Sequence, residues 1–161
     1  NDISKTHPDL VAEIAARWLG HSKERDWLVK HACRTLLKRG HPVVMELFGF
    51  ADADAVEVTG FALSADTVAI GGSIDFSFVV HTKKATKTRL EFAVDYVKAS
   101  GKQSRKIFQI SESDLPGGRK KEYTKTHSFR DLSTRKHYRG THAITLIVNG
   151  AERGTLSFEV I

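Results

Sequence analysis

The sequence predicts a two-domain chain of mixed class: a helical hairpin region over residues 1–52, then a β-sandwich over residues 55–161. Three observations predict it. Apolar residues recur at about 3.6 positions before Phe50 and at 2 positions after Val56. The change falls at Ala51-Asp52-Ala53-Asp54, a polar, alanine-rich junction. Charge divides there too. Residues 1–54 hold eight Lys/Arg and eight Asp/Glu, so the net charge of +6 belongs wholly to the remainder.

The helical elements follow in order. Thr6-His7-Pro8-Asp9 supplies an N-cap, a proline for the first turn and an early acid. Leu10, Val11, Ile14, Ala15 and Trp18 then form an apolar stripe that ends at Gly20. A second helix opens near Ser22 and stops before Gly40. Pro42 starts a short third one, closed by Gly49. Connections this short make successive helices antiparallel neighbours, the unit of HEAT-type solenoids. One hairpin cannot bury its stripes alone, and the chain opens without a methionine at a capping sequence. The expectation is the C-terminal end of a longer helical array, with ordinary N-terminal trimming of an independent protein as the plainer alternative.

The second helix carries two faces. Trp27, Lys30, His31, Arg34 and Lys38 fall within roughly 100° of arc, and Leu28, Val29, Ala32, Cys33, Thr35 and Leu36 lie opposite. A solvated face would mix acids with its cations at i,i+4 spacing, but no acid occurs between Trp27 and Glu46. Cations with an exposed aromatic among them suit a phosphate backbone and a base. A charged surface helix with Trp27 half-buried is the plainer alternative.

Alternation governs the rest. Val56, Val58 and Phe61 lead. Ile74, Phe76, Phe78 and Val80 follow a Gly71-Gly72 turn, and then come Leu90, Phe92, Val94 and Tyr96. Ile107, Phe108 and Ile110 mark another strand, as does Tyr123 to Phe129. Ile144, Leu146 and Val148 run into Asn149-Gly150, a hairpin signal, before Leu156, Phe158 and Val160. About seven strands over about 105 residues indicate an immunoglobulin-like sandwich without a Cys…Trp…Cys core. Leu115-Pro116-Gly117-Gly118 reads as a turn with no ligand role.

Composition excludes several classes. No apolar run approaches the roughly 18 residues of a membrane helix, and no secretory leader pattern is present. The single Cys33 cannot form an intrachain disulfide and reads as a core residue in a reducing compartment. The eight histidines lack zinc-ligand spacing, so neither metal nor cofactor is expected. A basic domain beside a neutral one suits an acidic partner, of which nucleic acid is the commonest.

Between Arg119 and Arg139 lie eight cations, opposed only by Glu122 and Asp131. Arg130, Arg135, Lys136, His137, Tyr138 and Arg139 crowd its second half, in a segment too long and polar for a tight hairpin. Phosphates explain the cations, and Tyr138 can stack or wedge against a base. Phe129 is expected to be structural. The alternative is a loop anchored by Phe129, Leu132 and Tyr138 whose cations are merely solvated. Two further clusters, Lys83, Lys84, Lys87 and Arg89, then Lys102, Arg105 and Lys106, are assigned no contact.

The runs NDISKTHPDLVAEIAARWL and DWLVKHACRTLLKRGHP resemble the final repeats of HEAT-like alkylpurine DNA glycosylases. HSFRDLSTRKHYRGTHAITLIVNG is similar to the sandwich appended in the AlkC-type branch of that family. The resemblance implies excision of N3-alkylated purines such as 3-methyladenine from double-stranded DNA. The helical face and the sandwich would grip the duplex from different sides. An N3-alkylated adenine is already cationic and leaves without a strong general acid. A carboxylate then has only to stabilise the oxocarbenium-like sugar and position water. The residue that matches is Asp2, and further acids would lie upstream. The resemblance also implies a monomer in the bacterial cytosol at the nucleoid, and an isolated 161-residue chain that is inactive. A non-enzymatic nucleic-acid-binding module and a protein-interaction scaffold are the competing readings.

Overall fold

The computed structural model describes residues 2–50 and 52–161, and its contacts divide the chain into two units. The first is the chain up to Ala53 with Asn149–Ala151; the second is Asp54–Val148 with Glu152–Ile161.

Five short helices make the first unit: α1 (Ile3–Thr6), α2 (Pro8–Trp18), α3 (Lys23–Ala32), α4 (Arg34–Lys38) and α5 (Pro42–Leu47). Pro8 opens α2, where a missing N–H costs nothing, but the cap position is His7. Thr6 instead closes α1, its Oγ1 donating to Ile3 O at 3.3 Å. Ser22 caps α3 as its residue type dictates, Oγ accepting from Arg25 N at 3.2 Å. The single helix expected from Ser22 to Arg39 is divided at Cys33, where ψ is 0°. Bonds from Cys33 N to Val29 O and from Leu37 N to Cys33 O carry the ladder across the break. The helices enclose Ala12, Val29, Cys33, Leu36, Leu37 and Phe50. Burial pushes the Cys33 thiol up, so this cysteine packs rather than reacts. Ile14, Trp18 and Leu28 stay 44%, 51% and 51% exposed along an open apolar groove of about 240 Å3.

The second unit is a two-sheet sandwich. Its strands are β1 (Val56–Leu63), β2 (Thr67–Val68), β3 (Ser73–Thr82), β4 (Thr86–Val97), β5 (Gln103–Leu115), β6 (Lys120–Ser128), β7 (Gly140–Val148) and β8 (Ala151–Val160). One sheet is ordered β1-β3-β6 and the other β2-β8-β7-β4-β5. Alternation puts Ile74, Phe76, Phe78 and Val80 of β3 against Leu90, Phe92, Val94 and Tyr96 of β4 in one core. The β7–β8 turn is Asn149-Gly150, both residues at positive φ, which matches the right-handed twist of the strands. The unforeseen strand is β2, two residues long and parallel to β8 through Thr67↔Glu159 and Val68↔Val160.

The other face of β4 buries charge. Arg89 and Glu91 are 3% and 0% exposed and pair at 2.6 Å, and Arg89 also pairs with Glu112 across to β5. Registers fix the two ends of the sandwich. His81 faces Lys120 and Thr86 faces Leu115, so the 83–85 and 116–119 connections share one end. Ser73 faces Ser128 and Val97 faces Gln103, so residues 98–102 and 129–139 share the other.

Candidate nucleic-acid interface

On the helical unit, α3 turns Val29 into the core and leaves Trp27 66% exposed. The indole stacks on His31, with ring centroids 5.4 Å apart and planes 18° from parallel. Arg34 Nη1 approaches His31 Nε2 at 3.5 Å. Trp27, His31 and Arg34 therefore form a column of aromatic, imidazole and guanidinium, a ladder set by i,i+4 and i,i+3 spacing. Lys30 turns aside, half-buried, with Nζ 5.7 Å from the Phe50 ring and 6.0 Å from that of Phe48. Lys38 is exposed on α4, beyond the break at Cys33. Asp2 sits at the N-cap position of α1 without capping it, its carboxylate open to solvent and 3.4 Å from Lys5 Nζ.

The loop from Arg130 to Arg139 separates into inward and outward side chains. Reciprocal bonds between Leu132 and Arg135 at 2.8 and 3.1 Å close a turn, and His137 N donates to Asp131 Oδ1 at 2.9 Å. Arg135 points inward: its guanidinium lies 5.0 Å from the Tyr96 ring and 5.5 Å from that of Phe108. The His137 ring is buried against Phe129 and Tyr96 at 5.1 and 5.5 Å. Arg130, Lys136, Tyr138 and Arg139 face solvent, with Lys136 Nζ 4.0 Å from Asp131 Oδ2. The expected set is thus brought together as one loop, held by Arg135 and His137 and displaying the other four.

Beneath it is a cluster that local sequence patterns do not announce. Arg135 Nη1 donates to Tyr96 Oη at 3.0 Å, and Tyr96 Oη is hydrogen-bonded to His127 Nε2 at 2.7 Å. Burial pushes the Tyr96 phenol up to about 12, against a smaller opposing pull from Arg135. His142 is wired as a neutral ring, with Nδ1 bonded to Gly140 O at 2.9 Å and Nε2 accepting from Val97 N at 3.3 Å. The one available signal was the alternation. It places Tyr96 and His127 on inward faces, where a polar tip must find a partner.

These histidines give the sandwich a pH dependence. Burial, with the positive field of Arg135 and the neighbouring His137 and His142, lowers His127 from 6.5 to about 4. Burial lowers His137 and His142 in the same direction, although Asp131 partly opposes this at His137, and Gly140 O and Glu159 do so at His142. Between these values the unfolded chain binds a proton that the folded chain refuses. Stability is therefore complete above pH 6.5 and is lost as pH falls through about 4. Urea midpoints should drop markedly between about pH 7 and about pH 4.5, and His127→Gln should flatten that slope. Equal pH dependence in the variant would show that His127 titrates freely.

The family described as "Uncharacterised protein YhaZ, C-terminal Ig-like domain" matches residues 57–161. The "Uncharacterized protein YhaZ" of Bacillus subtilis (strain 168) is 42% identical over 160 residues, covering 99% of this chain and 45% of that protein. Among solved structures, the Pseudomonas fluorescens alkylpurine DNA glycosylase AlkC, bound to DNA containing an abasic site analog, superposes with a TM-score of 0.93. The identity is 29%, over 99% of this chain and 45% of the glycosylase. A β-glucosidase from Erythrobacter marinus matches 66% of the chain at a TM-score of 0.53 and 10% identity, a likeness of fold alone. The chain thus spans a little under half the length of the two relatives that match it throughout.

Proposed function

The chain belongs to the YhaZ C-terminal Ig-like domain family, and from that premise we propose that it is the C-terminal part of a DNA-3-methyladenine glycosylase acting in alkylation repair. The observation that carries the reading is the likeness of 99% of the chain to a glycosylase held on DNA, at a TM-score of 0.93. Helices α1–α5 supply the last turns of a HEAT-like array, and the sandwich grips the same duplex. The column Trp27–His31–Arg34, with Lys38, meets phosphates and an exposed base on one side, while Lys30, expected in the same set, packs its ammonium against Phe48 and Phe50. Arg130, Lys136, Tyr138 and Arg139 meet the duplex on the other, in a loop that Arg135 and His137 position. Asp2 stabilises the oxocarbenium-like sugar as the cationic purine departs. The whole protein works as a monomer in the bacterial cytosol, at the nucleoid.

The test uses the full-length protein. Asp2→Asn should slow single-turnover release of 3-methyladenine at least about tenfold, or about 1.4 kcal/mol, without changing affinity for undamaged duplex. Arg34→Ala with Lys38→Ala should weaken duplex binding and lower the salt slope by roughly 0.9 for each phosphate no longer neutralised. Wild-type release by the Asn variant removes Asp2 from the chemistry. Measurable release by the 161-residue chain alone would overturn the reading of it as part of a larger active site.

A further inference from the structure

Folding redistributes the cations. The run from Arg119 to Arg139 is continuous in sequence, but β6 passes through it and carries its two halves to opposite ends of the sandwich. At the end away from the 130–139 loop, Lys83, Lys84 and Lys87 come beside Arg119, Lys120 and Lys121. All six side chains are exposed. The acids beside these segments are Asp114, which faces Lys87 across β4 and β5, Glu122, and Glu57 of β1, which faces His81 next to Lys120.

The arrangement is fixed by backbone contact. Thr82 Oγ1 donates to Pro116 O at 3.1 Å, and Gly118 N donates to Thr82 O at 2.7 Å. Gly117 is packed so closely that a Cβ there would lie 2.7 Å from Lys84 Cα and 2.8 Å from Lys83 O. The two cationic segments therefore present one surface whose backbone is already ordered, which reduces the entropy lost on binding.

We infer that this end of the sandwich is a second phosphate-binding surface, and that one duplex lying along the edge strand β6 touches both ends of the domain. The inference rests on the DNA-binding reading above and goes beyond it in naming a second surface and a path. β6 spans nine residues, and at about 3.3 Å per residue its ends are roughly 30 Å apart. One turn of B-form DNA is about 34 Å, so equivalent phosphates of one duplex recur at the spacing of the two clusters. Lys125 lies between them on the same strand. The end bearing Lys83 and Lys84 carries point charges without an exposed aromatic in either connection, which suits backbone tracking without base readout.

The test uses hairpin-closed, undamaged duplexes and anisotropy titrations over a range of KCl concentrations. The fold of each variant is checked by circular dichroism and thermal melting. Lys83→Ala/Lys84→Ala/Lys120→Ala/Lys121→Ala should weaken binding to a duplex of about 16 base pairs at least about tenfold, and lower the salt slope by at least about 2. On a duplex of about 6 base pairs, which cannot span both ends, the wild type should lose the affinity gained from the longer one. A quadruple variant with wild-type affinity and slope overturns the second surface. If Arg130→Ala/Lys136→Ala/Arg139→Ala still weakens binding, the DNA-binding reading of the loop survives that failure. If neither variant changes binding, both fall together.

Discussion

Phe129→Ala should destabilise the sandwich by about 3–5 kcal/mol, the range for removing a wholly enclosed phenyl ring. Phe129 is 0% exposed, and the rings of Tyr96, His127, His137, His142 and Phe158 surround it at 5.1–6.2 Å. These neighbours belong to four strands and the basic loop, so they cannot all collapse into the space left behind. Its backbone bonds to Gly71 and Gly72 would survive the substitution, which locates the loss in the side chain. Thermal melting should show a fall of more than about 12 °C, since 1 kcal/mol moves a domain of this size by roughly 4–8 °C. Amide exchange across residues 130–139 should accelerate before that of β3 and β4, because the missing ring underlies the loop. A loss below about 1 kcal/mol would mean that the surrounding rings close over the gap.

Arg89→Ala should be comparably damaging, by about 3–5 kcal/mol, for an electrostatic reason. It leaves Glu91, whose side chain is 0% exposed, without the guanidinium that pairs with it at 2.6 Å. Glu112, 18% exposed, is better able to recruit water. The diagnostic variant is Arg89→Leu/Glu91→Leu, which removes both charges and should recover most of the stability measured in urea. If the double variant is as unstable as the single one, the packing of the arginine stem outweighs the orphaned carboxylate.

How much of this could be read from residues alone differs between the units. The inward residues of β3, β4 and β7 were legible because a two-residue period must place Ile74, Phe76, Phe78 and Val80 on one face whatever their partners. Asn149-Gly150 was legible because few residue pairs adopt two positive φ angles in succession. Short elements were not legible. α1 has four residues and β2 has two, too few to establish a period. The division at Cys33 carries no glycine or proline to announce it.

In the candidate site, the outward positions of Trp27, His31 and Arg34 follow from helical spacing, so their shared face was expected, but the stacking of the indole on His31 was not. The inward turn of Arg135 was not, because an arginine can bury its guanidinium against an aromatic ring only where folding supplies one. Tyr96 lies 39 residues away in sequence. For the same reason, the union of Lys83 and Lys84 with Arg119–Lys121 depends on strand register, which no local pattern encodes.

The parallel pairing of β2 with β8 has a kinetic consequence. Thr67 and Val68 find their partners at Glu159 and Val160, while Ile70 N donates to Ile161 O and Ile161 N donates to Val68 O. These pairings enclose almost the whole sandwich, so their loop-closure entropy is met before the pairing repays it. The local β7–β8 hairpin can form early, but the edge of its sheet stays open until residues 156–161 are in place. In refolding, Val68 therefore stays uncovered until β8 has paired along its whole length. Shortening that strand should slow refolding and, because Phe158 and Val160 lie in the core, lower equilibrium stability as well.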